Sequence, residues 1–484
     1  MKKQILRILA LVLAFALVFT LGGCNSNKDN NDSGASSEVK GGELLDFGDE
    51  KGDGFTVDEG KDDKGNSGNS GTKKPLGSGI SITDEDKVEF DSKDPFANIP
   101  KRLKGSTVVF ACWGDEGHDK YKKVYQEFTK KTGIKVDVRN VDQSNYVATV
   151  TQQIAAGNAP DVLVDCYNFA SQIEILQPMQ NLIDIKDPFW DKNIIDISTI
   201  KGNTYEVNSN QSCWQGHQFI VYNKKLFATN SIMSPGDYYK RGQWTYENAL
   251  KCMRDITKIS GNYGGVIMPD LVAASMGTPI ISYDTKKAKF SNNITAPNVL
   301  AGYQFYATIK EEKIWETGMW YTHFNNGNVG IYDGNVYSIK FNGRFSTLDD
   351  SSLAAVPMPS SYQGKPCKQV GVYRAYGIAK NAKNPSAAAY FLRWFLDYSK
   401  YEEAGVKVYK NNDVKNFYYN TYVPLIEKEG INYSFYDTAC GYLNKDSNTF
   451  IMVDDSGKAQ INGLLDSKKN ELDSAVKALN AKLK

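Results

Sequence analysis

The spacing of apolar positions changes along this chain, and each change marks an element. Ile8 to Phe19 is an unbroken apolar run, after which apolar residues thin out until about Ile99. Thr107 to Ala111 is a short apolar run that closes on Trp113-Gly114-Asp115. Tyr121, Val124, Tyr125 and Phe128 then recur at i, i+3, i+4 and i+7, which predicts an amphipathic helix. Gly133 is placed to end it, since glycine accepts the left-handed conformation beyond a helix terminus. Ile134, Val136 and Val138 alternate with polar residues, the pattern of a half-buried strand. Val147, Val150 and Ile154 share one face of a second helix ending near Gly157, and Asp161 to Asp165 reads as the next strand. Strands alternating with helices predict a mostly parallel sheet with right-handed crossovers. Ligands on such sheets bind beyond the carboxyl ends of the strands, which puts Trp113, Asp115, Asp165, Tyr167 and Asn168 on one rim. Late in the chain, Asn384-Pro385 suits a helix start, followed by Ala388, Phe391, Leu392, Phe395 and Leu396 on one face. Leu465, Leu472, Val476 and Leu479 form a weaker stripe near the end.

The first apolar run has its own meaning. Lys2, Lys3 and Arg7 precede it, and it is too short to span a bilayer, which takes about 20 apolar residues. A charged start, a short apolar core and small residues make a secretory signal over 1–23. Leu21-Gly22-Gly23-Cys24 resembles a bacterial lipobox, which implies cleavage before Cys24 and lipidation of that residue. Ordinary cleavage beside a coincidental cysteine, or an uncleaved anchor, are the alternatives. From Asn25 to Ile99 the chain is rich in Asn, Ser, Gly, Asp and Lys, with 18 acidic residues against 9 basic ones. Such composition buries too little apolar surface to offset the entropy of ordering, so residues 24–104 are expected to form a disordered acidic tether. About 75 such residues reach roughly 50 Å. Asp49, Asp53, Gly54 and Glu59 hint at a calcium loop, but Lys51 occupies a ligand position and Gly60 the twelfth, so calcium is rejected. A long acidic tether without an outer-membrane feature points to the extracellular face of a Gram-positive membrane.

The remainder, about 380 residues, is too long for one core and predicts two domains. Net charge is +1, so with an acidic tether the folded part is mildly basic. No dense Lys/Arg cluster of the kind nucleic acid requires occurs. Beyond Cys24 the cysteines are Cys112, Cys166, Cys213, Cys252, Cys367 and Cys440, with no C-x-x-C pair and only three histidines, which argues against zinc or iron–sulfur ligation. No cofactor is expected. Cys112 and Cys166 both end predicted strands, leaving a disulfide open, with buried thiols the default reading.

Short motifs add a resemblance. Phe128-Thr-Lys-Lys-Thr-Gly-Ile-Lys-Val136 resembles the F-x-x-x-T-G-I-K-V segment of family 1 extracellular solute-binding proteins, the maltose-binding type. Gly157-Asn-Ala-Pro-Asp161, Val221-Tyr-Asn-Lys224, Gly242-Gln-Trp-Thr-Tyr-Glu247, Phe324 to Gly334, Ala355 to Pro359 and Gly371 to Lys380 resemble further segments in the family's order. Ile331 stands where the family usually has methionine, and the match fades after about Lys400. Each motif is weak alone, but together they span about 300 residues. The resemblance implies an α/β, two-lobed periplasmic-binding-protein-like fold with a hinge and an interlobe cleft. Lobe one would be 105–215 plus about 360–399, and lobe two 216–359 plus about 400–484.

It also implies a sugar site. Sugar rings have flat apolar faces edged with hydroxyls, so a cleft needs aromatic platforms beside oriented polar groups. Trp113 and Asp115 sit where the family places polar contacts; the plainer reading is a packed tryptophan and a capping acid. Asp165, Tyr167 and Asn168 match another contact loop, without the tryptophan that the maltose type carries there, so specificity is expected to differ. Trp214 lies where the family crosses between lobes, as a platform or as hinge packing. Asp333 and Tyr337, with Tyr332 and Asn335, follow a predicted strand, on a cleft rim or an exposed face. Tyr373 and Arg374 sit in a late glycine-led loop, where Arg374 could meet a ligand or a surface carboxylate.

The expected function is a membrane-tethered receptor, a monomer, that captures a carbohydrate and delivers it to an ABC transporter permease. Closure would bridge the lobes around the ligand. The absence of a G-x-x-x-x-G-K-[ST] sequence means this chain does not supply the ATPase. Rival readings are a receptor for a non-sugar solute or a sensor kinase, and a surface glycan-processing enzyme. Against the enzyme, neither G-x-S-x-G nor H-E-x-x-H occurs.

Overall fold

The computed structural model describes residues 83–484 apart from 114–118, 143–144, 166–172, 211–215, 317–318, 320, 340–344, 346–347, 362–364, 366, 410, 437 and 440–460. For 119, 120, 321, 336, 337 and 350 it describes the backbone alone. The signal and lipidation site at Cys24, and the cysteines Cys166, Cys213 and Cys440, fall outside the described residues.

Among the described residues the chain builds two α/β lobes, each around its own sheet. Strands β1 (Thr107–Cys112), β2 (Lys135–Asn140) and β3 (Val162–Asp165) are parallel neighbours in the order β2–β1–β3. The connecting helices are the predicted ones. Asp119–Thr132 buries Tyr121, Val124 and Phe128, and Gly133 ends it with a φ of 75°. The second helix, Tyr146–Ala155, buries Tyr146, Val150 and Ile154, so the inner face holds Tyr146 where Val147 was expected. The reason is polar: the Tyr146 hydroxyl donates to Ala111 O at 2.8 Å and accepts from Val164 N at 3.0 Å. It thereby joins β1 to β3 beyond their short ladder.

A small hairpin, β4 (Thr199–Ile200) and β5 (Asn203–Thr204), precedes β6 (Glu206–Val207), after which the chain leaves this lobe. The second sheet is built from β7 (His217–Asn223), β8 (Tyr263–Val266), β11 (Val329–Asn335), β12 (Leu353–Val356) and β13 (Gln369–Val372), with a separate hairpin of β9 (Ile281–Asp284) and β10 (Lys289–Asn292). β7 runs antiparallel to β11 on one side and to β12 and β13 on the other, while β8 lies parallel to β11. Strand β14 (Ala375–Ile378) returns to the first sheet between β3 and β6, antiparallel to both. β15 (Ile431–Ser434) later joins the second sheet beside β13. Residues from about 360 were expected in lobe one. β13 instead pairs within the second sheet, so this crossing is the two-residue bridge Tyr373-Arg374.

The helix Pro385–Phe395 fits under the first sheet with Ala388, Phe391, Leu392 and Phe395 fully buried, as their spacing predicts. Asn384 does not cap it with its side chain; the amide donates to Thr107 O at 3.0 Å and pins the helix start to β1. The same helix carries the segment that composition assigned to the tether. Val88, Phe96 and Leu103 are buried, Val88 N donates to Leu182 O at 2.7 Å, and Phe96 meets Trp394 edge-on at 5.1 Å. Residues 83–104 therefore coat lobe one rather than extending the tether. Their charges stay at the surface while a few widely spaced apolar side chains dock, which bulk composition averages away. The final helix, Ile461–Lys482, buries Leu465, Leu472, Val476 and Leu479 as predicted, along with Ile461 and Ala475. No helix among the described residues is long and apolar enough to cross a membrane.

Candidate functional site

The carboxyl ends of β1, β3 and β6 meet the amino end of β14 at one rim, because β14 runs antiparallel to β3 and β6. Trp113 directly follows β1, Asp165 ends β3, and Tyr373-Arg374 lead into β14. The Arg374 guanidinium lies 5.8 Å from the centre of the Trp113 ring, a cation–π arrangement. Arg374 is half-buried, whereas Trp113 is 5% exposed beneath its neighbours.

Behind this pair sits a cluster that sequence reasoning missed. The Tyr373 hydroxyl donates to Glu206 Oε2 at 2.5 Å, and the Asp165 carboxyl group neighbours Glu206 from the end of β3. All three residues are 1% exposed or less. Burial and the neighbouring Asp165 carboxyl push the Glu206 carboxyl well above the usual carboxylate range, because two like charges this close cannot both ionise cheaply. Burial first, then the facing Glu206 and Asp165, likewise drive the Tyr373 phenol up. Glu206 lies in Tyr205-Glu206-Val207, where nothing in the sequence distinguishes a buried acid from the solvated acids around it.

The β6 segment grips the bridge twice, through Glu206 and again just past the strand's end. Two residues after Glu206, Asn208 donates its side-chain amide to Arg374 O at 3.0 Å. The outgoing and returning crossings also bond each other, Val372 N to Gly216 O at 2.8 Å. A third crossing follows the helix Pro385–Phe395. It is marked by Tyr398 and Tyr409, 6.1 Å apart, and by Tyr418, whose hydroxyl shares a 2.9 Å hydrogen bond with His217 Nδ1. Burial lowers the His217 imidazole to about 3, so this histidine is neutral.

On the second sheet the parallel strands β8 and β11 end at a corresponding rim. Tyr332 to Asn335 belong to β11 itself rather than following it. Asp333 is half-buried, and its Oδ2 accepts from Met268 N at 3.2 Å just beyond β8. Tyr332 packs instead among Trp315, Phe324 and Phe345, with ring centres 5.6 to 6.1 Å apart. Asn335 caps the short helix Val336–Ile339 by accepting from Ser338 N at 2.8 Å. The structure thus brings Trp113, Asp165 and Arg374 together on lobe one and sets Asp333 on lobe two. Asp115, Tyr167, Asn168, Trp214 and the Tyr337 side chain lie outside the described residues. Among the described residues no group of three His, Cys, Asp or Glu side chains is arranged to hold a metal ion.

A family model described as bacterial extracellular solute-binding protein matches residues 114–399. No curated protein matches the sequence. Among solved structures, the galacto-N-biose/lacto-N-biose I-binding protein of an ABC transporter from Bifidobacterium longum, in complex with lacto-N-biose, superposes with a TM-score of 0.57 at 14% identity, covering 77% of this chain and 97% of its own. The sugar-binding protein MalE from Xanthomonas citri gives 0.54 at 16% identity, over 78% of this chain and 98% of its own. The ABC substrate-binding protein Lmo0181 from Listeria monocytogenes, in complex with cycloalternan, gives 0.51 at 14% identity, over 78% and 98%. At such identities the likeness is one of fold.

Proposed function

The chain belongs to the bacterial extracellular solute-binding proteins, and from that membership we propose that it captures a carbohydrate between its lobes and delivers it to an ABC transporter permease. The observation that carries this reading is the convergence of Trp113, Asp165 and Arg374 at the carboxyl-end rim of the first sheet, beside the bridge into the second. The half-buried Arg374 guanidinium offers a sugar's hydroxyl groups charge-assisted donors, with the buried Trp113 and Asp165 forming the floor behind it. Arg374 and, on lobe two, Asp333 supply the partly exposed polar groups. Asp115, Tyr167, Asn168, Trp214 and Tyr337 complete the proposed lining. The bound oligosaccharide gains contacts from both lobes only when they close, which selects the closed state.

In this reading the chain performs no chemistry on its ligand and needs no cofactor. It acts as a monomer, held at the outer face of a Gram-positive membrane by lipid on Cys24, with residues up to about 82 as the tether. Solved sugar-binding proteins of the same fold lend weight to a carbohydrate ligand. Calorimetric titration of the full chain against a panel of mono- and oligosaccharides tests it. Binding of one member at about micromolar affinity, with no product on long incubation, is the expected result. Silence across the panel moves the ligand to another solute class, and consumption of a sugar indicates an enzyme.

A further inference from the structure

Glu206 sits in the strand that starts the first crossing between the lobes and touches the second. Its Oε2 accepts from Tyr373, in the bridge, and its carboxyl group meets Asp165 at the end of β3. Among the described residues no N–H or hydroxyl donor reaches Glu206 Oε1, although that oxygen is fully buried. A buried acceptor without a donor is destabilising, and a second buried negative charge beside it more so. One proton between the two carboxyl groups removes both penalties. It also leaves Oε2 as the acceptor that Tyr373 uses.

We propose that Glu206 is a positioning residue: it keeps a proton, shares it with Asp165, and thereby fixes the Tyr373-Arg374 bridge so that Arg374 stands over Trp113 at the rim of the cleft. Two elements face this acid: β3 brings Asp165, and the bridge brings Tyr373 with Arg374 next in sequence. The β9 hairpin adds Tyr283 within electrostatic range of Tyr373. The grip is completed by Asn208, two residues on, which holds the Arg374 carbonyl. Glu206 in β6 thus orders the phenol, and Asn208 just past the strand orders the backbone of the same two-residue bridge. The ring of Tyr373 lies 5.7 Å from Phe435, just beyond β15 of the second sheet, so what Glu206 holds is the joint between the lobes. The consequence for capture rests on the proposed rim, whereas the proton does not, and the two are read separately below.

Infrared spectra of the full chain, without ligand, test the proton. At neutral pH the native chain should show the carbonyl stretch of a protonated carboxyl group, and Glu206→Gln should lose it. No such band, or a band that Glu206→Gln leaves intact, overturns the shared proton. Amide hydrogen exchange at one fixed pH tests the positioning. Glutamine can donate to Asp165 and accept from Tyr373, so Glu206→Gln should keep the native protection of residues 372–376. Glu206→Leu should exchange there about tenfold faster, the loss of roughly one hydrogen bond. Equal protection in the leucine variant overturns the positioning role. Should that variant fail to fold, Tyr373→Phe asks the same question: exchange in the bridge should rise while the infrared band remains.

Discussion

The hydroxyl of Tyr373 donates to Glu206 Oε2 at 2.5 Å across the point where the chain passes from the second sheet into the first. Both groups are buried, so neither can exchange its partner for water. Tyr373→Phe should lower stability by about 1–3 kcal/mol, the cost of a buried acceptor losing its donor. Denaturant unfolding at constant slope would register it as a lower midpoint; an unchanged midpoint would mean the bond contributes nothing.

Two crossings press together at Gly216. A methyl group there would stand 1.9 Å from Val372 O, and Val372 N already donates to Gly216 O. Gly216→Ala must push the outgoing and returning segments apart, at a cost of about 1–3 kcal/mol. A loss of stability in that range, together with weaker solute binding, is expected. A fully stable variant would show that the crossings separate freely.

Arg374 offers a test of the rim. Its guanidinium lies over the Trp113 ring, 5.8 Å from the centre, and carries a fork of donors that an ammonium group does not reproduce. Arg374→Lys should weaken sugar binding by about tenfold, or about 1.4 kcal/mol, with little change in melting temperature. Equal affinity in titration would remove Arg374 from the site.

His217 predicts an acid limit. Its imidazole is held neutral down to about 3, against 6.5 for an ordinary histidine. Between those values the unfolded chain binds a proton that the folded chain refuses. The stability this group supports is therefore complete above about pH 6.5 and falls by about 1.4 kcal/mol per unit as pH drops toward 3. Melting curves of His217→Gln should fall less steeply over that window. Parallel curves would mean the histidine titrates alike in both states.

Glu206 predicts the opposite slope. Its folded value is raised, so the folded chain keeps a proton that the unfolded chain releases once pH passes about 4.5. Its contribution is complete below about pH 4.5 and declines as pH rises toward the folded value. The melting temperature of the native chain should fall, relative to Glu206→Gln, as pH rises above about 4.5. A constant difference between the two across that range would contradict it.

The segments that made the family legible hold the scaffold together, and that explains why the fold read more clearly than the site. Asp161 of the Gly157 to Asp161 segment accepts from Val109 N at 2.8 Å and Asn384 N at 3.0 Å. Asn223 of the Val221 to Lys224 segment caps the next helix through Leu226 N, and Thr245 caps its own through Asn248 N. Trp244 donates to Pro357 O at 2.8 Å. These residue types at these spacings are demanded by local geometry, so they show in one sequence. Helix stripes showed for the same reason. The Glu206–Asp165–Tyr373 cluster joins residues about 40 and 170 positions apart, and only the antiparallel return of β14 brings them together. The docked segment 83–104 was hidden differently. Its apolar anchors, Val88, Phe96 and Leu103, stand too far apart to mark a helix or a strand.

The central claim is a sugar held between two closing lobes, and small-angle X-ray scattering of the full chain tests it most directly. With a sugar identified by titration, the radius of gyration should fall on saturation, and Arg374→Lys should need more sugar to reach the same compaction. Saturating binding with an unchanged radius would contradict capture by closure.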